Sequence, residues 1–111
     1  MGRKGPDAGD LLAIHLGELG LKFEREFKFD AERKWRSDFR IKGGDGWHFL
    51  GVLVEIEGAV WTNGRHTRGT GFLRDIEKYN TASMLGYKIL RFSTADVLTG
   101  KAKNFIKRWV V

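Results

Sequence analysis

The chain has 111 residues, 41% of them hydrophobic and 13% aromatic, enough for one packed domain and too few for two. Lys and Arg outnumber Asp and Glu by 20 to 14, a net charge of +6, and the absence of cysteine excludes disulfides, thiolate zinc and cysteine nucleophiles and fits a reducing, cytoplasmic compartment. No apolar run is long enough to span a bilayer, and Met1-Gly2-Arg3-Lys4-Gly5 lacks the apolar segment of a signal peptide, so a polyanion such as nucleic acid is expected as partner and a membrane is not.

Residues 1–7, all Gly, Pro, charge and the initial Met, read as a flexible arm. From Ala8 the spacing of Leu11, Leu12, Ile14, Leu16 and Leu19 predicts a helix closed by Gly20 as its C′ residue. Asp10 and Glu18 are its acids, each more often a plain surface charge than a ligand. His15, among leucines, reads as a packed histidine.

A first strand follows over 21–29, in which Phe23, Phe27 and Phe29 alternate with Glu24, Glu26 and Lys28 while Arg25 breaks the pattern. Residues 30–34 read as a turn. In a second strand over 35–41, Trp35, Ser37, Phe39 and Ile41 alternate with Arg36, Asp38 and Arg40, so Asp38 stands on a polar face. The glycine-rich run 42–46 predicts an antiparallel hairpin to a third strand. A turn symmetric about Gly44 would set Asp38 opposite Leu50. A longer connection through Trp47 and His48, or a bulge near Gly51, is needed to bring Asp38 toward Glu55.

The third strand, 52–57, is the stretch on which the functional reading rests. Val52, Val54 and Ile56 face one way; Leu53, Glu55 and Glu57 face the other, which puts two carboxylates on one face with Cα atoms about 6.6 Å apart at the usual strand rise. Adjacent acids repel unless a cation lies between them. With Asp38 as a third carboxylate, hard oxygen donors suit Mg²⁺ or Mn²⁺, and Mg²⁺ takes one or two protein carboxylates and completes its shell with waters and substrate phosphate oxygens. The plainer alternative is a solvated strand face paired with Lys and Arg.

Residues 58–71 combine small residues with Trp61, Asn63, Arg65, His66, Thr67 and Arg68, directly after the acids. This composition reads as a phosphate-gripping loop in which Arg65 and Arg68 fork onto phosphate oxygens, with Asn63, Thr67 and the strand residue Arg36 as further contacts. It lacks the Gly-Lys-Ser/Thr ending of a nucleotide P-loop. Thr70 caps a predicted helix over 71–85, stopped by Gly86, whose expected buried stripe is Phe72, Ile76, Tyr79 and Ser83, with Arg74 and Lys78 on another side. A fourth strand over 87–92 would run parallel to the third. Ser93 and Asp96 form a capping box for one final helix with Val97, Leu98, Ala102, Phe105, Ile106 and Trp109 inward.

This order predicts an α/β fold, a mixed four-stranded sheet flanked by helices in the order αβββαβα. With Asp on the second strand and Glu-x-Glu on the third, it resembles the restriction-endonuclease-like PD-(D/E)xK nuclease superfamily over roughly residues 10–92. The run Gly64-Arg65-His66-Thr67-Arg68-Gly69, with Gly71-Phe72 and Glu77-Lys78-Tyr79-Asn80, is similar to that of small phage and bacterial very-short-patch-repair and virus-type replication-repair nucleases. The resemblance implies a Mg²⁺- or Mn²⁺-dependent endonuclease of DNA repair or recombination, cutting DNA by in-line attack of a metal-activated water; the small size and the needs of two-strand cutting suggest a homodimer.

Carried over by residue, the resemblance makes Asp38 and Glu55 metal ligands, joined by the Ile56 carbonyl and, weakly, by Asp10. Glu57 stands where the superfamily usually has Lys, and Ser37 where it has Pro. Either Glu57 binds a second metal or acts as base, or a cation arrives from elsewhere; Lys78 and His66 are the candidates. A non-catalytic nucleic-acid-binding module is the alternative.

Overall fold

The structure is a computed structural model that describes residues 7–43, 48–58, 61–62, 65–66 and 70–111. Helix α1 (Ala8–Glu18) begins where the Asp7 carboxylate accepts the Asp10 N–H at 2.8 Å, so Asp7 is a cap rather than part of an arm. It ends as the sequence predicts: Gly20, at φ 75°, lets the Gly20 and Leu21 N–H groups donate back to the Gly17 and Leu16 carbonyls.

Strands β1 (Phe23–Asp30), β2 (Trp35–Ile41) and β3 (Gly51–Glu57) follow as an antiparallel meander. After a small hairpin, β4 (Trp61–Thr62) with β5 (Arg65–His66), helix α2 (Thr70–Leu85) crosses over and strand β6 (Tyr87–Ser93) lies parallel to β3. The sheet order is β1-β2-β3-β6. Two short helices, α3 (Thr94–Leu98) and α4 (Lys101–Trp109), complete the described chain. The α/β class and the mixed, helix-flanked four-stranded sheet are thus as expected. The hairpin β4–β5 is an addition, since its segment reads as loop in the sequence.

One sheet face builds the core. Phe39 and Ile41 of β2, Val52 and Val54 of β3 and Phe92 of β6 pack against Leu12 and Leu16 of α1, Val97 of α3, and Ala102 and Ile106 of α4. The single terminal helix expected from Ser93 onward is instead two. The Ser93–Asp96 capping box forms, but Gly100, at φ 84°, turns the chain between them. That turn brings Ala102 and Ile106 inward and leaves Leu98, Phe105 and Trp109 exposed, contrary to the expected inner face. Phe105 packs instead edge-on against Phe92, with ring centroids 5.7 Å apart.

The opposite sheet face lies under α2 and is polar at its centre. Strand alternation puts Asp38, Arg40, Leu53, Glu55, Glu57 and Arg91 there. β1 changes face at Glu26, whose φ of 52° is unusual for a residue with a side chain: Arg25 lies over Phe39 on the core side, whereas Phe27 sits under Arg40 and against Tyr87 on the other. This is the physical content of the break that Arg25 makes in the β1 pattern. Among the described residues no helix is long and apolar enough to cross a membrane.

Candidate active site

The site starts from the connection between β2 and β3. Its register pairs Ile41 with Val52 and Phe39 with Val54, so Asp38 and Glu55 are the next residues past the last pair, and Asp38 lies near enough to Glu55 to act on its charge. This is the longer connection, through His48, that the sequence requires if the two acids are to meet. Arg40 braces it, donating to the Leu50 carbonyl from Nη2 at 2.8 Å and from Nε at 3.3 Å while Nη1 pairs with Glu24 at 3.1 Å. Gly51 makes the brace possible. At φ 147°, a β-carbon there would stand 2.8 Å from the Ile41 carbonyl oxygen and 3.0 Å from Arg40 Nε.

Beyond Phe39 and Val54 the two strands part. β2 stays with β1 through Ser37, Arg36 and Trp35, while β3 stays with β6 as far as Glu57. In the opening, Asp38 Oδ2 accepts the Ile56 N–H at 2.7 Å, replacing the backbone partner that β3 has lost. The N–H and C=O of a strand residue point to the same edge, so the Ile56 carbonyl opens into the same gap. A cavity of about 380 Å³ lies beside it, walled by Asp38, Ile56, Gly9, Arg25 and Thr94 among others.

Glu55 faces the α2 side, where Lys78 Nζ donates to its Oε2 at 3.4 Å, with side-chain exposures of only 16% for Lys78 and 13% for Glu55. Burial raises the Glu55 carboxyl to about 7, with Asp38 and Glu57 adding to the rise and Lys78 opposing it. Such a group is half ionised near neutrality and gains from any cation that reaches it. The buried side of α2 therefore runs through Lys78, Tyr79 and Ala82; Ile76 and Ser83, expected inside, are exposed. The reason is the sheet face below: two acids there are met by a cation and a phenol rather than by an aliphatic stripe.

Glu57 turns to β6. Its Oε2 accepts from Arg91 Nε at 2.8 Å, and the Arg91 guanidinium lies 4.7 Å from the centre of the Tyr79 ring. The bond to Glu57 keeps Arg91 above its already high pKa, and burial with Glu55 and Glu57 nearby holds the Tyr79 phenol neutral. Arg91 and Tyr79 escape the sequence reading as functional residues. The signal lies in the register: the parallel ladder that starts with Gly51 against Tyr87 sets Arg91 beside Glu55, whereas strands started level at Val52 and Tyr87 would set Leu90 there.

Asp38, Glu55 and Lys78 are thus brought together, and Ile56 with them. Asp10 is not: on α1 it pairs with Arg25 at 2.9 Å, and Arg25, not Asp10, lines the cavity beside Asp38. Arg36 is exposed and pairs with Glu26 at 3.7 Å. Asn63, Thr67 and Arg68 lie outside the described residues, and of Arg65 and His66 the structure describes the strand pairing alone. Among the described residues no three Asp, Glu or His side chains gather into a protein-only metal cage, so the larger ligand set that includes Glu57 and Asp10 is not assembled. Two facing carboxylates and a carbonyl remain, a donor set that fits Mg²⁺ or Mn²⁺ if water and phosphate oxygens complete the shell. A second cavity, about 470 Å³ and lined by Phe49, Leu90, Phe105, Trp109 and Val110 among others, holds no acid.

Compared with known proteins, the chain matches no protein family, no curated protein and no solved structure.

Proposed function

We propose that the protein is a metal-dependent endodeoxyribonuclease with a restriction-endonuclease-like core, hydrolysing phosphodiester bonds of DNA. The observation that carries this reading is the meeting of Asp38 and Glu55 where β2 and β3 part, with Lys78 delivered to Glu55 by α2. Paired acids beside a half-buried lysine, in a chain of net charge +6, suit a phosphate substrate better than a purely structural role.

In this reading Asp38, Glu55 and the Ile56 carbonyl hold Mg²⁺ or Mn²⁺. Such a cation supplies a water of lowered pKa and offsets charge developing on phosphorus. Asp38 is aimed by the Ile56 N–H. Lys78 orients Glu55 and brings the positive charge that the superfamily usually places at position 57, next to where charge builds in the transition state. The basic surround, with Arg65 and Arg68 of the glycine-rich segment, holds the DNA backbone.

The test is cleavage of labelled duplex, single strand, branched junction and mismatched DNA in Mg²⁺, Mn²⁺ or EDTA, by wild type and by Glu55→Ala and Asp38→Asn. Metal-dependent cutting that both variants lose is expected. Cutting that either variant retains would remove that residue from the mechanism. That no third acid joins the cluster among the described residues favours one rival, a non-catalytic nucleic-acid-binding module; it predicts DNA binding in EDTA and no cutting of any substrate.

A further inference from the structure

We propose that Arg91 is a phosphate-binding residue of the nucleic-acid site, its guanidinium held in place by Glu57 and Tyr79, and that Glu57 is therefore a positioning residue and not a metal ligand. This rests on the nucleic-acid reading given above, and it assigns a role to the one position where the chain departs most from the family it resembles.

The geometry is specific. Arg91 pairs in register with Glu55, so its side chain leaves β6 on the same sheet face as the acids. Glu57 engages Nε alone, at 2.8 Å, and the ring of Tyr79 flanks the guanidinium at 4.7 Å. The guanidinium is planar in itself; held at Nε and flanked by a ring, it is fixed in orientation with its two terminal nitrogens presented as the fork that matches two oxygens of a phosphate. Arg91 is also accessible, with 49% of its side chain exposed, while Glu57 beneath it is 28% exposed. An arginine whose only task was to neutralise Glu57 would need neither the ring nor the open outer edge. β6 is the last strand of the sheet, so a backbone passing the acids can reach Arg91 from the side. A carboxylate already bonded to arginine is a poor candidate for a metal shell, which explains why Glu57 does not join Asp38 and Glu55 in a cluster.

The experiment measures binding of a fluorescein-labelled duplex and a labelled single strand in EDTA across a KCl series, for wild type, Arg91→Gln, Arg91→Lys and Glu57→Gln. Loss of one phosphate contact reduces the slope of log K against log salt by about 0.9 on duplex or about 0.7 on single strand, and that reduction is expected for Arg91→Gln. Arg91→Lys should keep the slope and bind several-fold more weakly, since a single ammonium cannot serve Glu57 and a phosphate together. Mn²⁺ titrated calorimetrically into the DNA-free Glu57→Gln protein should bind as it does to wild type.

An Arg91→Gln slope equal to wild type, even with a lowered melting temperature, would leave Arg91 purely structural and overturn the proposal. So would Arg91→Lys of unchanged affinity, or a Glu57→Gln protein whose Mn²⁺ binding falls by about tenfold or more, as for a lost ligand. Wild type that binds neither DNA at low salt refutes the nucleic-acid reading itself, an outcome distinct from all of these.

Discussion

Glu55 and Asp38 are held by different forces and should respond differently to substitution. Glu55 sits near 7 in the folded protein against 4.5 for the free side chain, so folding favours its neutral form. That stabilisation is fully present below pH 4.5 and is lost as pH rises through about 7. Glu55→Gln mimics the neutral form at every pH. In EDTA the stability of the Gln variant relative to wild type should therefore increase between pH 5 and pH 8, read from paired thermal melts; a gap that does not move with pH would contradict the burial argument. Under the nuclease reading, cleavage in limiting Mg²⁺ rises over the same interval as Glu55 gives up its proton. Asp38 is instead fixed by one short bond to the Ile56 N–H. Asp38→Asn can still accept that bond through its amide oxygen and should melt close to wild type. Asp38→Ala strands the donor and should cost about 1–2 kcal/mol in urea titration, the lower part of the range for an unsatisfied group because the gap is partly open to water.

At the scale of elements, the site depends on the register of β2 against β3, and the register depends on Gly51. Gly51→Ala forces a side chain into φ 147° and against the Ile41 carbonyl. It should destabilise the protein by about 3 kcal/mol or more and, under the nuclease reading, abolish cleavage even where folding is recovered by cooling or osmolyte. Much of this architecture is legible in the sequence because it is local. Asp38 and Glu55 announce themselves by strand alternation, Gly20 by the end of an apolar period, and Ser93 with Asp96 by their spacing. Other features are set by what lies across the fold. Helical period alone selects Ile76 for the buried stripe of α2, whereas the acids on the sheet below select Lys78. The break at Gly100 hides in a run whose apolar residues continue on both sides of it. The pairing of Glu57 with Arg91 is invisible until the parallel register is known, since the two residues are 34 positions apart.

Across the whole molecule, the described acids are largely spoken for by bases. Glu24 pairs with Arg40, Glu26 with Arg36, Glu18 with Lys103, Asp30 with Arg33 and Glu57 with Arg91. The surplus of +6 is therefore carried by cations beyond these pairs, available to a polyanion. Under the proposed nucleic-acid reading, binding to DNA should weaken steeply and linearly on a log–log plot as salt is raised, and an affinity indifferent to salt would argue against a backbone-tracking mode. The sheet topology has a further consequence, in time rather than in space. Ile41 and Val52 are 11 residues apart in sequence, whereas Gly51 and Tyr87, which begin the parallel ladder, are 36 apart. Loop closure favours the nearer pairing first, so the β2–β3 hairpin is expected in the folding nucleus and β6 is expected to dock late. Ile41→Val should accordingly slow folding, and Leu90→Ala should mainly speed unfolding, in stopped-flow chevrons. A chain caught before that last step has its acids in place but neither Lys78 nor Arg91 in register with them. Under the nuclease reading, such a chain cannot cut until the final strand is home.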